Sequence, residues 1–289
     1  MTGPTSRAEN PAVVTIAHGR HAHLEHQRRH LAVVAPGVRH VVVAMDDPVL
    51  AQRCGPDVVT MPAHPEGLPL AAARNAGVAE AIDGGADLIV LLDVDCVPGP
   101  RLLRRYVDAA ARTDRALLAG PVTYLPEGTA VPAPAPPGGP DPFEHLTDPH
   151  PARPAPPDGQ LVPGGDPALF WSLSVALTPA TWEELGGFCE EYVGYGGEDT
   201  DLGVVAHERG VDLVWVGGAH AYHQFHPVSR PPVEHAADIV RNAHVFRRRW
   251  GRWPMEGWLR DLDALGVLRW GGPASDELRL ADPGEGGLR

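Results

Sequence analysis

The chain contains no lysine: all of its fixed side-chain cations are arginines, 24 in 289 residues. Against 37 acidic residues this leaves a formal net charge of −13. No basic run offsets that excess, which argues against nucleic acid or an anionic membrane as the main partner. Any phosphate-rich ligand must be met by arginine, backbone N–H groups or a metal. Cysteine is scarce too. Cys54, Cys96 and Cys189 are odd in number, widely spaced and form no Cys-x-x-Cys pair, which excludes a disulfide scaffold and a cysteine zinc site and fits a reducing compartment. No apolar run approaches the ~18 residues of a membrane-spanning helix, and Met1 to Asn10 is polar, without the apolar core of a secretory signal. The expectation is a cytoplasmic protein with no membrane span. Aromatics make up only 6% of residues within a hydrophobic content of 43%, so the core must be built from Val, Leu, Ile and Ala.

Residues 11–120 alternate strand-like and helix-like stretches. Val13–Ala17, Val38–Ala44, Val58–Met61 and Leu88–Leu92 read as strands; His23–Val34, Pro69–Asp83 and Pro100–Thr113 read as helices. Leu88–Leu92 is continuously apolar, as expected of a strand covered on both faces. This alternation predicts an α/β fold with helices on both sides of a sheet. Residues 121–165 are crowded with Pro and Gly, including Pro136, Pro137, Gly138 and Gly139; little regular structure is expected there, and a mobile loop over the rim of the site is predicted. Beyond it, Thr178 caps a helix that Gly186 and Gly187 stop, another helix begins near Asp199, and Val211–Val216 reads as a strand. Residues 231–270 read as a helical extension interrupted by Pro254, and 271–289 as a flexible tail.

Three stretches carry candidate chemistry. In Leu91-Leu92-Asp93-Val94-Asp95 two carboxylates follow a buried strand, where open α/β sheets bind ligands. Continued alternation would point both side chains the same way. Paired carboxylates suit a hard cation such as Mg²⁺ or Mn²⁺, although Asp is also an ordinary turn residue. In Gly194-Tyr195-Gly196-Gly197-Glu198-Asp199-Thr200-Asp201, acids follow a glycine run and open a helix. A carboxylate at a helix N-terminus is held ionised by exposed N–H groups, which suits a general base; capping by Asp199 or Thr200 is the plainer explanation, but needs one such residue. In His220-Ala221-Tyr222-His223-Gln224-Phe225-His226, any of three histidines could complete a metal shell. By contrast His18, His21, His23, His26 and His30, of which His26 and His30 would share a helix face, read as a solvated helix face and not as metal ligands.

Taken in order, Val13–Arg20, Val41–Asp47, Ala73-Arg74-Asn75-Ala76-Gly77, Asp93-Val94-Asp95, Leu185-Gly186-Gly187-Phe188 and Gly196-Gly197-Glu198-Asp199 resemble inverting glycosyltransferases of the GT-A fold, family 2 and the β-1,4-galactosyltransferase-like group. The resemblance covers roughly residues 11–230. It implies a Rossmann-like nucleotide-diphospho-sugar transferase fold, with a nucleotide-binding half at 11–120 and an acceptor and catalytic half at 166–230. It implies a nucleotide-sugar donor, expected to be a UDP-sugar, a hydroxyl acceptor of unknown identity, and Mn²⁺ or Mg²⁺. Ala17 and Arg20 are then expected beside the uridine and phosphates, Asp46 at the base, with Asp47 its neighbour, and Arg74 near the nucleotide. Asp93 would hold ribose or a water ligand and Asp95 the metal. His223, or failing it His226, would complete the metal shell. Asp199 would be the catalytic base, with Glu198 lining the sugar or acceptor. Val193 and Tyr195 stand where the galactosyltransferase-like pattern has Trp, and Thr200 replaces an acid. Two rival readings are a nucleotidyltransferase, for which Ala17-His18-Gly19-Arg20 is a poor phosphate loop, and a non-catalytic nucleotide-sugar binder, which would not need Asp199.

Overall fold

A computed structural model describes residues 8–55, 58–136 and 139–282. Residues 1–7, Pro56 and Asp57, Pro137 and Gly138 of the expected loop, and 283–289 of the expected tail lie outside the described residues.

The first half alternates as the sequence implies. Strands β1 (Pro11–Ala17), β2 (Arg39–Met45), β3 (Val58–Met61) and β4 (Leu88–Leu92) are separated by helices α1 (His21–Val34), α2 (Pro48–Arg53) and α3 (Leu70–Asp83). A short strand β5 (Cys96–Pro98), helix α4 (Leu102–Ala110) and strands β6 (Ala116–Ala119) and β7 (Val122–Tyr124) follow. The second half holds β8 (Leu161–Pro163), β9 (Ser174–Leu177), α5 (Pro179–Leu185), α6 (Glu198–Glu208), β10 (Asp212–Val216) and β11 (Ala221–His223). Helices α7 (Ala236–Trp250) and α8 (Glu256–Ala264) and a hairpin of β12 (Leu268–Trp270) and β13 (Leu278–Leu280) complete it.

The main sheet has the order β3-β2-β1-β4-β9-β6-β10-β8. Six strands run parallel, while β9 is antiparallel to both β4 and β6, and β8 closes the edge antiparallel to β10. One apolar layer packs α3, α5 and α6 on one face around Val14, Ile89 and Val175; a second packs Leu31 of α1 and Leu102 and Tyr106 of α4 on the other, around Val13, Val90 and Leu118. A Cβ at Gly77 of α3 would lie 2.5 Å from Val14 Cγ1 and 2.9 Å from Val43 Cγ2. These are methyls of stiff, buried side chains. Gly77→Ala is therefore expected to destabilise by about 2 kcal/mol through overpacking, read as a lower urea midpoint at unchanged slope.

Local chemistry explains the element ends. Thr178 Oγ1 accepts from Thr181 N, Pro179 begins α5, and Gly186 ends it at φ +74°. Asn75 of α3 binds the chain just beyond: its Nδ2 donates to Phe188 O and its Oδ1 accepts from Phe188 N, both at 2.9 Å.

Three expectations need correction. The tail is not frayed between Gly271 and Asp282: β13 pairs with β12, and Leu278 packs with Trp253, Leu259 and Leu262, so burial of one leucine outweighs a Gly- and Asp-rich composition. Residues 121–165 are irregular but anchored. Phe143 is fully buried and stacked on Tyr222 at 4.1 Å, and Arg153 is buried between two indoles. The N-terminal histidines are not one solvated face either. His30 is buried with Nε2 3.0 Å from Pro132 O, and burial pushes its imidazole down to about 4; His26 Nδ1 lies 2.7 Å from Gln224 Oε1.

Candidate active site at the carboxyl edge of the sheet

Asp93 and Asp95 stand beyond the end of β4 in a turn, not in continued strand. Asp93 N donates to Leu173 O, just before β9, and Cys96 N donates to Asp93 O at 2.8 Å, closing the turn. The two carboxylates have different partners, Asp93 meeting Arg74 and Asp95 meeting His223 and His226. Two residues that the sequence reading missed hold this turn. Gln27 of α1, wholly buried, donates from Nε2 to Asp93 O (2.8 Å) and Cys96 O (2.9 Å), and Thr15 Oγ1 donates to Leu92 O (2.9 Å). Their signal was weak: polar residues at positions that pattern alone assigns to apolar faces.

A small second sheet, β5-β11-β7, brings the histidines in. Its antiparallel register pairs His223 with Cys96, next to Asp95, and Gln224 N donates to Asp95 O at 2.7 Å. His223 Nε2 lies 3.3 Å from Asp95 Oδ1 and His226 Nε2 lies 3.2 Å from Asp95 Oδ2. One ligand atom from each of the three residues falls within 4.8 Å of the others. Burial works to raise the Asp95 carboxyl, but the two imidazoles hold it well below the usual carboxylate range. Burial also works to lower His223, and Asp95 reverses this and raises it. Asp95 Oδ1 is buried and, apart from His223 Nε2 at 3.3 Å, has no hydrogen-bond partner, an acceptor of the kind a cation satisfies; a set of one carboxylate and two imidazoles suits a divalent transition ion such as Mn²⁺ better than Mg²⁺, which prefers oxygen ligands throughout. His220 is not part of the group. Its Nε2 lies 2.8 Å from Thr123 Oγ1, and burial pushes it down to about 4.

The glycine run places the second group of acids. Gly194, Gly196 and Gly197 have φ of +72°, +92° and +98°, conformations that L side chains seldom adopt. Gly197 occupies the N-cap of α6, and no side chain caps the helix, so Asp199 and Thr200 are not spent on capping. Asp199 Oδ2 accepts from Ser172 N at 3.0 Å, while Oδ1 is buried without a partner. Glu198 is buried; burial and then Asp199 push its carboxyl up to about 7, against the pull of Arg74. Asp201 has a different part. It accepts from Tyr192 Oη, Arg249 Nε and Trp250 Nε1, tying α6 to α7.

Arg74 joins the two motifs. From α3 its guanidinium reaches Asp93 Oδ1 at 3.3 Å and Glu198 Oε1 at 3.2 Å, over the ring of Phe188. On the other flank, Ala17 ends β1 and is buried, and Arg20 follows in left-handed conformation, φ +50°, with its side chain exposed. Asp46 is exposed, also left-handed, with its N–H given to Met61 O. Asp47 is structural: its carboxylate accepts from Val49 N and Leu50 N at the start of α2, and from Gly19 N, with His21 beside it. Although burial works the other way, these bonds hold it down at about 2.

Comparison with known proteins agrees with this geometry. A family described as the N-terminal domain of galactosyltransferase matches residues 168–232, the stretch holding Asp199, His223 and His226. A validoxylamine A glucosyltransferase of Streptomyces hygroscopicus is 43% identical over 44 residues, which is 15% of this chain and 10% of that protein. An N-acetylglucosaminyl-diphospho-decaprenol L-rhamnosyltransferase of Mycobacterium tuberculosis is 27% identical over 212 residues, 62% of each chain. The chain thus spans about a tenth of the first relative's length and under two thirds of the second's. The solved structure of S. aureus TarS residues 1–349 superposes with a TM-score of 0.51 at 12% identity, over 82% of this chain and 65% of that one. No helix among the described residues is long and apolar enough to cross a membrane. Sheet order and the superposition give the GT-A fold, and the matched segments make the chain similar to glycosyltransferases of the family 2 kind.

Proposed function

We propose that this protein is a glycosyltransferase that moves a hexosyl group from a UDP-sugar to a hydroxyl acceptor, with a divalent metal and with inversion at the anomeric carbon. The observation that carries the proposal is Arg74, which bridges Asp93 and Glu198 and so brings the metal-side turn and the acid-bearing helix to one edge of the sheet. The names of the glucosyl- and rhamnosyltransferase relatives support a hexosyl group. We assign residues 11–230 to the transferase unit, 11–120 to the donor half, 166–230 to the acceptor half and 231–270 to an extension packed on α6.

Asp95, His223 and His226 would hold Mn²⁺ or Mg²⁺, which when bound supplies positive charge beside the departing diphosphate. Arg20 and Arg74 supply the rest, in a chain with no lysine. Asp46 contacts the base and Asp93 the ribose. Asp199 Oδ1 takes the proton from the acceptor hydroxyl as its oxygen attacks the anomeric carbon, and Glu198 holds a sugar hydroxyl. One in-line displacement inverts the configuration.

Calorimetry of UDP with Mn²⁺ and then with EDTA tests the metal. Binding should fall at least ten-fold in EDTA, and Asp95→Ala with Mn²⁺ should match the EDTA result; equal affinity in all cases would remove the metal from the mechanism. His223→Ala should weaken binding more than His226→Ala, because His223 is fixed on β11 under the ring of Tyr124, 4.4 Å away, whereas His226 lies in the loop beyond. Release of nucleoside diphosphate, not pyrophosphate, on turnover separates transfer from nucleotidyl chemistry, and any release excludes a mere binder.

A further inference from the structure

Two arginines are almost wholly buried among the described residues, and they differ in one respect. Arg74, 6% exposed, has two carboxylate partners. Arg153, 4% exposed, has none: Nε, Nη1 and Nη2 are all buried without a hydrogen-bond partner. Its guanidinium lies between the indoles of Trp171 and Trp215, at 5.6 and 5.2 Å from their centroids. Such contacts offset a cation only partly, and a buried charge without a counter-charge costs several kcal/mol.

Other unsatisfied atoms lie beside it. Ser172, adjacent to Trp171, has a buried Oγ without a partner, and its backbone N donates to Asp199, whose Oδ1 is likewise unpartnered. Asp199, Tyr124 and Cys96 all bear electrostatically on Arg153, and Trp171, one of its two indoles, adjoins the Ser172 that donates to Asp199. The outer cover is thin: Trp171 and His150 are each half-buried and meet edge to face at 5.3 Å.

We propose that Arg153 is a receptor for a phosphate group of the substrates, carried either by the donor diphosphate or by a phosphorylated acceptor. A planar guanidinium gives two parallel N–H bonds to phosphate oxygens, and the Ser172 hydroxyl can add a third. A neutral sugar hydroxyl would leave the buried charge unmatched, so the ligand must be an anion. The guanidinium is closed from water, and a rotation of the Trp171 indole away from His150 opens it. The identity of the phosphate's carrier, though not the site, rests on the transferase reading.

The probe is inorganic pyrophosphate in EDTA, so that a metal at Asp95 cannot hold it, followed by calorimetry and thermal melting on wild type, Arg153→Met and Arg153→Lys. Wild type should bind and melt higher. Arg153→Met should lose at least ten-fold in affinity and, without ligand, melt no lower than wild type, since an unpaired charge has been removed; Arg153→Lys, a point charge without the fork, should fall between. Pyrophosphate acting equally on wild type and Arg153→Met overturns the proposal, and so does failure of pyrophosphate to bind wild type. The carrier is read with Mn²⁺ present. If it is the donor, Arg153→Met loses at least ten-fold for UDP and nothing for uridine. If it is the acceptor, UDP affinity is unchanged, and UDP-saturated wild type still takes up pyrophosphate where Arg153→Met does not. If UDP binds no form of the protein, the donor reading fails while the EDTA experiment still decides the role of Arg153.

Discussion

Asp199→Asn lowers sugar transfer by roughly 10²–10⁴-fold, the usual contribution of a positioned general base, while UDP affinity stays within a few-fold of wild type. The substitution is nearly isosteric. An asparagine oxygen can still accept from Ser172 N, as Asp199 Oδ2 does at 3.0 Å, so the start of α6 keeps its place. What disappears is proton acceptance at the partnerless Oδ1. The measurement is nucleoside diphosphate release at saturating donor, set beside calorimetric UDP affinity, because a loss confined to turnover marks an interaction made in the transition state. Glu198→Gln is the control: its remaining oxygen still faces Arg74 Nη1, 3.2 Å away in the native pair. If Glu198→Gln abolishes transfer and Asp199→Asn does not, the base is the preceding residue. If both variants remain active, the inverting displacement loses its base altogether.

Asp201→Ala should cost about 3 kcal/mol of stability, among the largest single losses expected in this chain. Asp201 is 1% exposed and accepts from Tyr192 Oη at 3.0 Å, Arg249 Nε at 2.7 Å and Trp250 Nε1 at 2.7 Å. Removing it leaves a buried phenol and an indole N–H without acceptors and a cation without its partner. The Arg249 side chain is 35% exposed, so water recovers part of that last loss, which keeps the figure below the upper range for a buried ion pair. Asp201→Asn retains an acceptor oxygen and should cost about 1 kcal/mol. Urea unfolding at constant slope measures both. An unchanged midpoint in Asp201→Ala would show that α7 is held by its apolar face alone, through Ile239 and Phe246.

How far the sequence reached depended on the kind of signal. The β4 run Leu88–Leu92 was legible because a strand covered on both faces is continuously apolar, and α5 because Thr178, Pro179 and Gly186 each act within a turn of their own position. The cluster of Asp95, His223 and His226 was expected only through the resemblance, since spacing left all three of His220, His223 and His226 open; a register of β11 on β5, set by strands more than a hundred residues apart in sequence, leaves His220 outside the cluster. Gln27 and Thr15 could not be found, because their partners are backbone carbonyls of the distant acidic turn, and a carbonyl leaves no mark on sequence. Asp201 was grouped with Glu198 and Asp199 by adjacency, yet one helical step turns it toward α7 and a structural task. The tail misled for a similar reason: composition described Gly271 onward correctly, but Leu278 decided where it went.

Reversal of β9 within an otherwise parallel set changes which parts of the chain meet at the edge. A parallel strand delivers to that edge only the residues that follow it, as β4 delivers Asp93. Because β9 runs the other way, with Ser174 opposite Leu92, it delivers the residues that precede it: Leu173 to the acidic turn, Ser172 to Asp199 and Trp171 to Arg153. β8, antiparallel to β10 with Leu161 opposite Val216, starts at that rim in the same way, which holds the far end of the irregular segment there. Insertions or deletions between β7 and β8 can reshape the outer wall without shifting the register of any strand in the central sheet, so, on the proposed assignment of donor and acceptor halves, a change of acceptor and the upkeep of the donor half are separable problems for this architecture in evolution and in engineering.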